Sequence, residues 1–105
     1  MQKQRTMLLI GEADHLLDEC QFHRQTLWIK NCKHALLDAE DIISTLAQER
    51  SEFDFREEAE FGFLLTKFRE QIKETARLES ILDSDGQHTI LKLNRSYKIE
   101  GEGSE

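Results

Sequence analysis

Proline is absent from this chain, and glycine is absent between Gly11 and Gly62. Both residues interrupt helices, so their absence favours long helices through the first two thirds of the sequence. The chain has only two cysteines, which excludes a disulfide-rich scaffold, and it has no apolar run of membrane-spanning length and no signal-peptide pattern. We therefore expect free thiols, a cytoplasmic location and no membrane partner.

Basic residues are scarce in the middle of the chain. The net charge is −7, and residues 35–66 hold nine acidic residues against two basic ones. Because an acidic block repels phosphate, direct binding to duplex DNA is not expected. A basic protein surface or a divalent cation is the more natural partner for this block.

Apolar residues recur at helical spacing in two long segments. The first runs from Ala13 to Leu46 with a slip in phase near Trp28, and the second runs from Phe61 to Leu82. This spacing predicts a mostly α-helical domain over residues 1–83, an antiparallel hairpin with long coiled-coil arms and a turn at residues 50–55. We favour one kinked arm over residues 12–50. The alternative of two helices there, giving three in all, stays open because Asn31 can cap a helix end.

The last part of the chain has a different pattern. Asp83-Ser84-Asp85-Gly86 is a typical turn, and two short runs rich in β-formers follow it. This pattern predicts a short β-hairpin over residues 84–100 and a flexible tail over residues 101–105.

The octet between the two helical segments, residues 54–61, reads Asp-Phe-Arg-Glu-Glu-Ala-Glu-Phe. Asp54 followed by Glu57 three residues later is the spacing of a capping box at a helix start. At the tip of a hairpin, the same carboxylates can instead reach into the cavity of a partner. The sequence leaves both interpretations open.

The octet resembles the coiled-coil tip of the bacterial Gre transcript-cleavage factors. Asp54, Glu57, Ala59 and Glu60 match that family's pattern, whereas Glu58 stands where the family has Asn. The resemblance implies a prong that enters the secondary channel of RNA polymerase. There Asp54 and Glu57 would share a Mg²⁺ ion with the polymerase, and Phe61 or Phe55 would support the tip. The family's second, globular domain is missing from this sequence, and only Tyr97-Lys98-Ile99-Glu100-Gly101 resembles a fragment of it.

Other polar groups allow weaker functional hypotheses. Arg69, Lys73 and Arg77 share a helix face and form a possible basic strip, although interleaved Glu70 and Glu74 are typical of an ordinary solvated surface. Two sets of side chains have the residue types of a metal site. For both sets we prefer the simpler interpretation that the histidines lie on the surface and the cysteines are buried. These sets are Glu12, His15, Glu19 and His23, and Cys20, His23, Cys32 and His34.

No nucleophile–base set or phosphate-binding loop is recognisable, so we do not expect an enzyme or a cofactor of its own. The leading hypothesis is a transcription regulator that binds RNA polymerase through the acidic tip, at most with a shared Mg²⁺ ion. The alternative is a helical adaptor, chaperone or inhibitor that binds another protein through its apolar face at Ala35, Ala39, Ile43 and Leu46. The oligomeric state stays open.

Overall fold

The computed structural model describes residues 2–82, with side chains from residue 4 onward. This part of the chain forms three α-helices, α1 (Gln2–Gln25), α2 (Ile29–Gln48) and α3 (Phe55–Leu82), with a short 3₁₀ helix (Arg50–Glu52) before α3. The mostly helical class and the turn at residues 50–55 are as predicted. The predicted β-hairpin and tail lie outside the described residues.

The helices run up, down and up. Arg5 near the start of α1 pairs with Glu49 at the end of α2, so these two helices are antiparallel. Lys67 of α3 pairs with Asp14 and Asp18 of α1, and Cys20 of α1 contacts Thr75 further along α3, so α1 and α3 are parallel. The result is a three-helix bundle. The favoured continuous arm over residues 12–50 is therefore wrong, and the alternative of two helices is correct.

A Schellman motif without glycine ends α1. The amide of Trp28 donates to the carbonyl of His23 (2.8 Å) and the amide of Leu27 donates to the carbonyl of Arg24 (3.0 Å), which is the hydrogen-bond pair of this motif. The motif needs a left-handed residue, and Leu27 takes that conformation with φ 60°. The rings of Trp28 and His23 meet edge to face at 5.5 Å and supply the accompanying side-chain contact. Glycine usually fills the position that Leu27 holds here, so this break is hard to predict from the sequence.

The core lies between the three helices and uses the predicted apolar stripes. Its fully buried members come from every helix: Ala13, Leu17 and Cys20 of α1, Cys32, Leu36, Ala39, Ile43 and Leu46 of α2, and Phe61 and Phe68 of α3. The face proposed for an adaptor, at Ala35, Ala39, Ile43 and Leu46, is thus closed by the protein's own α1 and α3. None of the helices in residues 2–82 is long and apolar enough to cross a membrane.

Candidate functional sites at the two ends of the bundle

The acidic octet begins α3 at the end of the bundle where α2 turns into α3. The amide of Glu57 donates to Asp54 Oδ1, and the amide of Asp54 donates to Glu57 Oε1, both at 2.8 Å. This is a complete capping box, which satisfies two backbone donors at the helix start. Glu57 is only 4% exposed. Both predicted metal ligands are therefore engaged with the backbone of their own helix.

The remaining octet residues are divided between the core and the surface. Phe61 is fully buried and meets the ring of Phe53 edge to face at 5.4 Å, so it supports the turn from beneath. Glu60 is half-buried, whereas Phe55 is 91% exposed. Of the two phenylalanines considered as supports for the tip, Phe61 has that position and Phe55 points into solvent.

Arg50 holds the turn from the side. Its guanidinium donates to Glu58 Oε2 at 2.6 Å and lies 5.2 Å from the centre of the Phe61 ring. The hydrogen bond from Arg50 lowers the pKa of Glu58; burial opposes this shift, and the positive charge of Arg50 adds a smaller lowering effect. Glu58, the departure from the Gre pattern, is thus a partner of Arg50 within the protein's own turn.

The predicted basic strip lies on the outer side of α3. Lys73 and Arg77 are exposed and Arg69 is half-buried. Arg77 pairs with Glu74 at 3.5 Å, three residues earlier on the same helix. The arrangement is that of an alternating charged helix surface.

Neither hypothetical metal set is assembled. Within residues 4–82, no group of three or more histidine, cysteine or acidic side chains is placed to hold a metal ion. His15 pairs with Glu19 at 3.1 Å on the surface of α1, and His34 is exposed on α2. Cys20 and Cys32 are buried free thiols.

An apolar surface lies at the opposite end of the bundle, where α1 turns into α2. Phe22, Leu27 and Trp28 are between 56% and 61% exposed, and we call these three residues the turn surface. The His23 ring lies between two of them, 5.8 Å from the Phe22 ring and 5.5 Å from the Trp28 ring. Exposed aromatic side chains clustered on one turn are typical of a protein-binding site.

The charge around the turn surface differs from that of the chain as a whole. Residues 20–37 contain no aspartate or glutamate, whereas the whole chain carries −7. Three basic residues fall in the same stretch: Arg24 is half-buried, Lys33 is bound to Glu79, and Lys30 is exposed. A continuous helical stripe through Leu27 and Trp28 would place both side chains in the core, so apolar periodicity alone does not reveal this surface. The signal was the phase slip at Trp28 together with the lack of acidic residues.

Comparison of the chain with protein-family models, with curated proteins and with solved structures finds no match.

Proposed function

We propose that this protein is a non-enzymatic helical module that binds another protein through the turn surface. The observation that supports the proposal is the exposure of Phe22, Leu27 and Trp28 on one rigid turn. The Schellman hydrogen bonds fix the backbone of this turn before any partner arrives, so binding orders few additional groups. Aromatic anchors of this kind carry a large share of the affinity in protein interfaces.

The partner is a protein segment that carries apolar side chains flanked by carboxylates. Apolar groups match the turn surface, and carboxylates match exposed Lys30 in a stretch without acidic residues. The binding face proposed here differs from the stripe at Ala35 to Leu46, because that stripe packs inside the bundle.

Trp28, the only tryptophan of the chain, is the position at which we test this proposal. A photo-reactive residue placed at position 28 of the full chain should cross-link a partner in lysate, and the cross-linked segment should be apolar and acidic. The matched control carries the same group at position 55, which is also exposed but lies at the opposite end of the bundle. Equal yields at both positions, or cross-links only to a second copy of the chain or to lipid, would overturn the proposal.

The Gre-like hypothesis is the second candidate. What supports it is the resemblance of the octet together with its location at the end of the antiparallel α2–α3 pair. In this candidate the protein binds RNA polymerase in the cytoplasm, and Asp54 and Glu57 share a Mg²⁺ ion with the polymerase. Glu57 would first have to leave the Asp54 amide and turn outward, so the tip has to rearrange locally before it acts.

Cross-linking from position 55 to RNA polymerase, with none from position 28, would favour this second candidate. Its catalytic part is tested by Glu57→Gln, because glutamine still reaches the Asp54 amide but is a poor Mg²⁺ ligand. Loss of stimulated transcript cleavage with unchanged polymerase binding is the expected result. Full stimulation by this variant would contradict the shared metal.

A further inference from the structure

The break between α1 and α2 brings the two cysteines of the chain together. Cys20 lies near the end of α1 and Cys32 near the start of α2, and both are fully buried. The Cys32 thiol donates to the carbonyl oxygen of Cys20 at 3.4 Å, which places its sulfur next to Cys20. A continuous helix would have held these two residues far apart.

The surroundings of Cys20 are polar. Thr75 Oγ1 of α3 lies 3.4 Å from its sulfur, and the guanidinium of Arg24 lies 3.8 Å from it. That guanidinium is itself positioned by Gln71 Oε1 at 2.7 Å and by Thr75 Oγ1 at 3.3 Å. A purely structural cysteine is surrounded by apolar atoms, whereas here groups from all three helices favour a thiolate on one sulfur.

The two thiols consequently differ in acidity. The hydrogen bond from Cys32 is the largest effect, and with Thr75 and Arg24 it lowers the pKa of Cys20 to about 7 against the opposing effect of burial. The hydrogen bond with Cys20 is also the main reason that the pKa of Cys32 is raised, and burial raises it further. Thr75 and Arg24 contact the sulfur of Cys20, so Cys20 is the member suited to attack, while the Cys32 thiol donates to a carbonyl.

We propose that Cys20 and Cys32 are a peroxide-sensitive dithiol that closes to an intramolecular disulfide between α1 and α2. The proposal rests on the placement of the Cys32 thiol against Cys20 across the turn and on the position of Arg24 beside the Cys20 sulfur. It is independent of the function proposed for the turn surface.

The reaction has two steps and uses hydrogen peroxide as the oxidant. The Cys20 thiolate attacks one peroxide oxygen, so that an S–O bond forms, the O–O bond breaks and hydroxide leaves to be protonated to water. The sulfur of Cys32 then attacks the sulfenic acid of Cys20. The S–S bond forms, the S–O bond breaks, and the departing hydroxide takes the Cys32 proton as a second water. Two thiols and one peroxide become one disulfide and two waters.

The first step prepares the second. While Cys20 is a thiolate, its hydrogen bond and its negative charge both raise the pKa of Cys32. Conversion of Cys20 to a neutral sulfenic acid removes that charge, so the Cys32 thiol loses its proton more easily. The resolving thiol therefore becomes reactive when its partner has been oxidised.

A cleft between α1 and α3 leads toward the pair. Its volume is about 450 Å³, it is open to solvent, and Arg24 and Gln71 belong to its lining. Arg24 stands between this cleft and the Cys20 sulfur, so movement of one half-buried side chain admits a molecule as small as peroxide.

The test starts from the reduced, full-length protein. Hydrogen peroxide should remove two hydrogens from the monomer, and digestion without reductant should give one peptide pair that joins residues 20 and 32. A sulfinic acid on Cys20, a disulfide between two molecules, or unreacted thiols in the folded protein would each overturn the proposal.

The rate of Cys20 alkylation gives a second, independent readout. Its pH profile should have a midpoint of about 7 in the unaltered protein. The charged and titratable groups near Cys20 are Arg24 on α1, Cys32 on α2 and, one turn away, the Lys33–Glu79 pair of α2 and α3. Arg24→Gln should raise the midpoint and slow the peroxide reaction about threefold at neutral pH. Arg77→Gln removes an exposed guanidinium elsewhere and is the matched control. An unchanged profile in Arg24→Gln would contradict the role of Arg24.

Discussion

Asp54 and Glu57 each accept a hydrogen bond from the other's backbone amide, at 2.8 Å in both directions. The pair closes the start of α3 and holds Glu57 almost completely buried. The same spacing that resembles a metal-binding tip is therefore fully used for helix capping in this structure.

The capping box predicts how the two residues respond to substitution. Asp54→Ala should lower the free energy of unfolding by about 1 kcal/mol, because the amide of Glu57 loses its acceptor. Asp54→Asn should retain most of the stability, since asparagine caps helices equally well. Urea denaturation of both variants measures the difference. Equal losses in the two would mean that the charge of Asp54, and not its cap, is what matters.

The closed apolar face leads to a prediction about the core. Phe68 is fully buried, so Phe68→Ala should lower the free energy of unfolding by about 3–5 kcal/mol, and Ile43→Ala by about 2–5 kcal/mol. Phe63 is 73% exposed on the same helix, and Phe63→Ala is the matched control with an expected change within about 0.5 kcal/mol. If Phe68→Ala were as mild as its control, the apolar stripe would not be the interior of this bundle.

Leu27 carries backbone strain that a single substitution should relieve. A side chain at φ 60° is disfavoured by its Cβ, and glycine has none. Leu27→Gly should therefore raise the free energy of unfolding by about 1 kcal/mol in thermal or urea denaturation. Ser44→Gly, at an exposed site inside α2, should instead destabilise by about 0.5–1 kcal/mol. A loss of stability in Leu27→Gly would show that the leucine side chain contributes more than the strain costs.

Glu58 should give stability that depends on pH. Its pKa in the folded state lies below the ordinary value of 4.5 because Arg50 binds the charged form. A lowered pKa contributes stability that is present above the ordinary value and is lost as the pH falls through the folded-state value. Both side chains are well exposed, so Glu58→Gln should cost about 0.5 kcal/mol or less at neutral pH and nothing in strong acid. Urea denaturation from neutral pH to strong acid measures this loss of stability, with Glu52→Gln as the exposed control. A stability difference between Glu58→Gln and the unaltered protein that persists in acid would contradict the ion pair.

Much of the fold could be predicted from the periodicity of the apolar residues. The apolar stripes on α2 and α3 can be predicted from residue spacing alone, as the positions of Leu36, Ile43, Leu46 and Phe68 illustrate. Because apolar faces are buried in a folded protein, the two helices have to pack with these faces together. The start of α3 could be predicted from Asp54 and Glu57 alone because a capping box is a local motif. These features depend on neighbours within a few residues.

The break at Leu27 depends on more distant contacts. A leucine pays a steric penalty at positive φ, so local preference argues against a turn there, and the packing of α1 back onto α2 and α3 overrides it. The turn surface and the Cys20–Cys32 contact both follow from this break. A single arm over residues 12–50 predicts neither of them, because it places the two cysteines far apart on one continuous helix.

The buried carboxylate of Glu79 is a further consequence of tertiary packing. Its side chain is 2% exposed, and Lys33 of α2 forms an ion pair with its Oε2. Its Oε1 has no hydrogen-bond partner among the described residues. A carboxylate in this position depends on the lysine, because a buried charge without a partner is strongly unfavourable.

Removal of the Lys33 side chain should therefore destabilise the protein more than is usual for a partly exposed lysine. Lys33→Met should lower the free energy of unfolding by about 3 kcal/mol, since Glu79 is left buried and unpaired. The matched control is Lys30→Met, an exposed lysine in the first turn of the same helix, with an expected change within about 0.5 kcal/mol. Adding Glu79→Leu to Lys33→Met should recover most of the loss, because an apolar pair of similar volume needs no partner for a charge. Urea denaturation measures the stability of the three variants. If the double variant were no more stable than Lys33→Met alone, the loss would come from the packing of the Lys33 side chain and not from its charge.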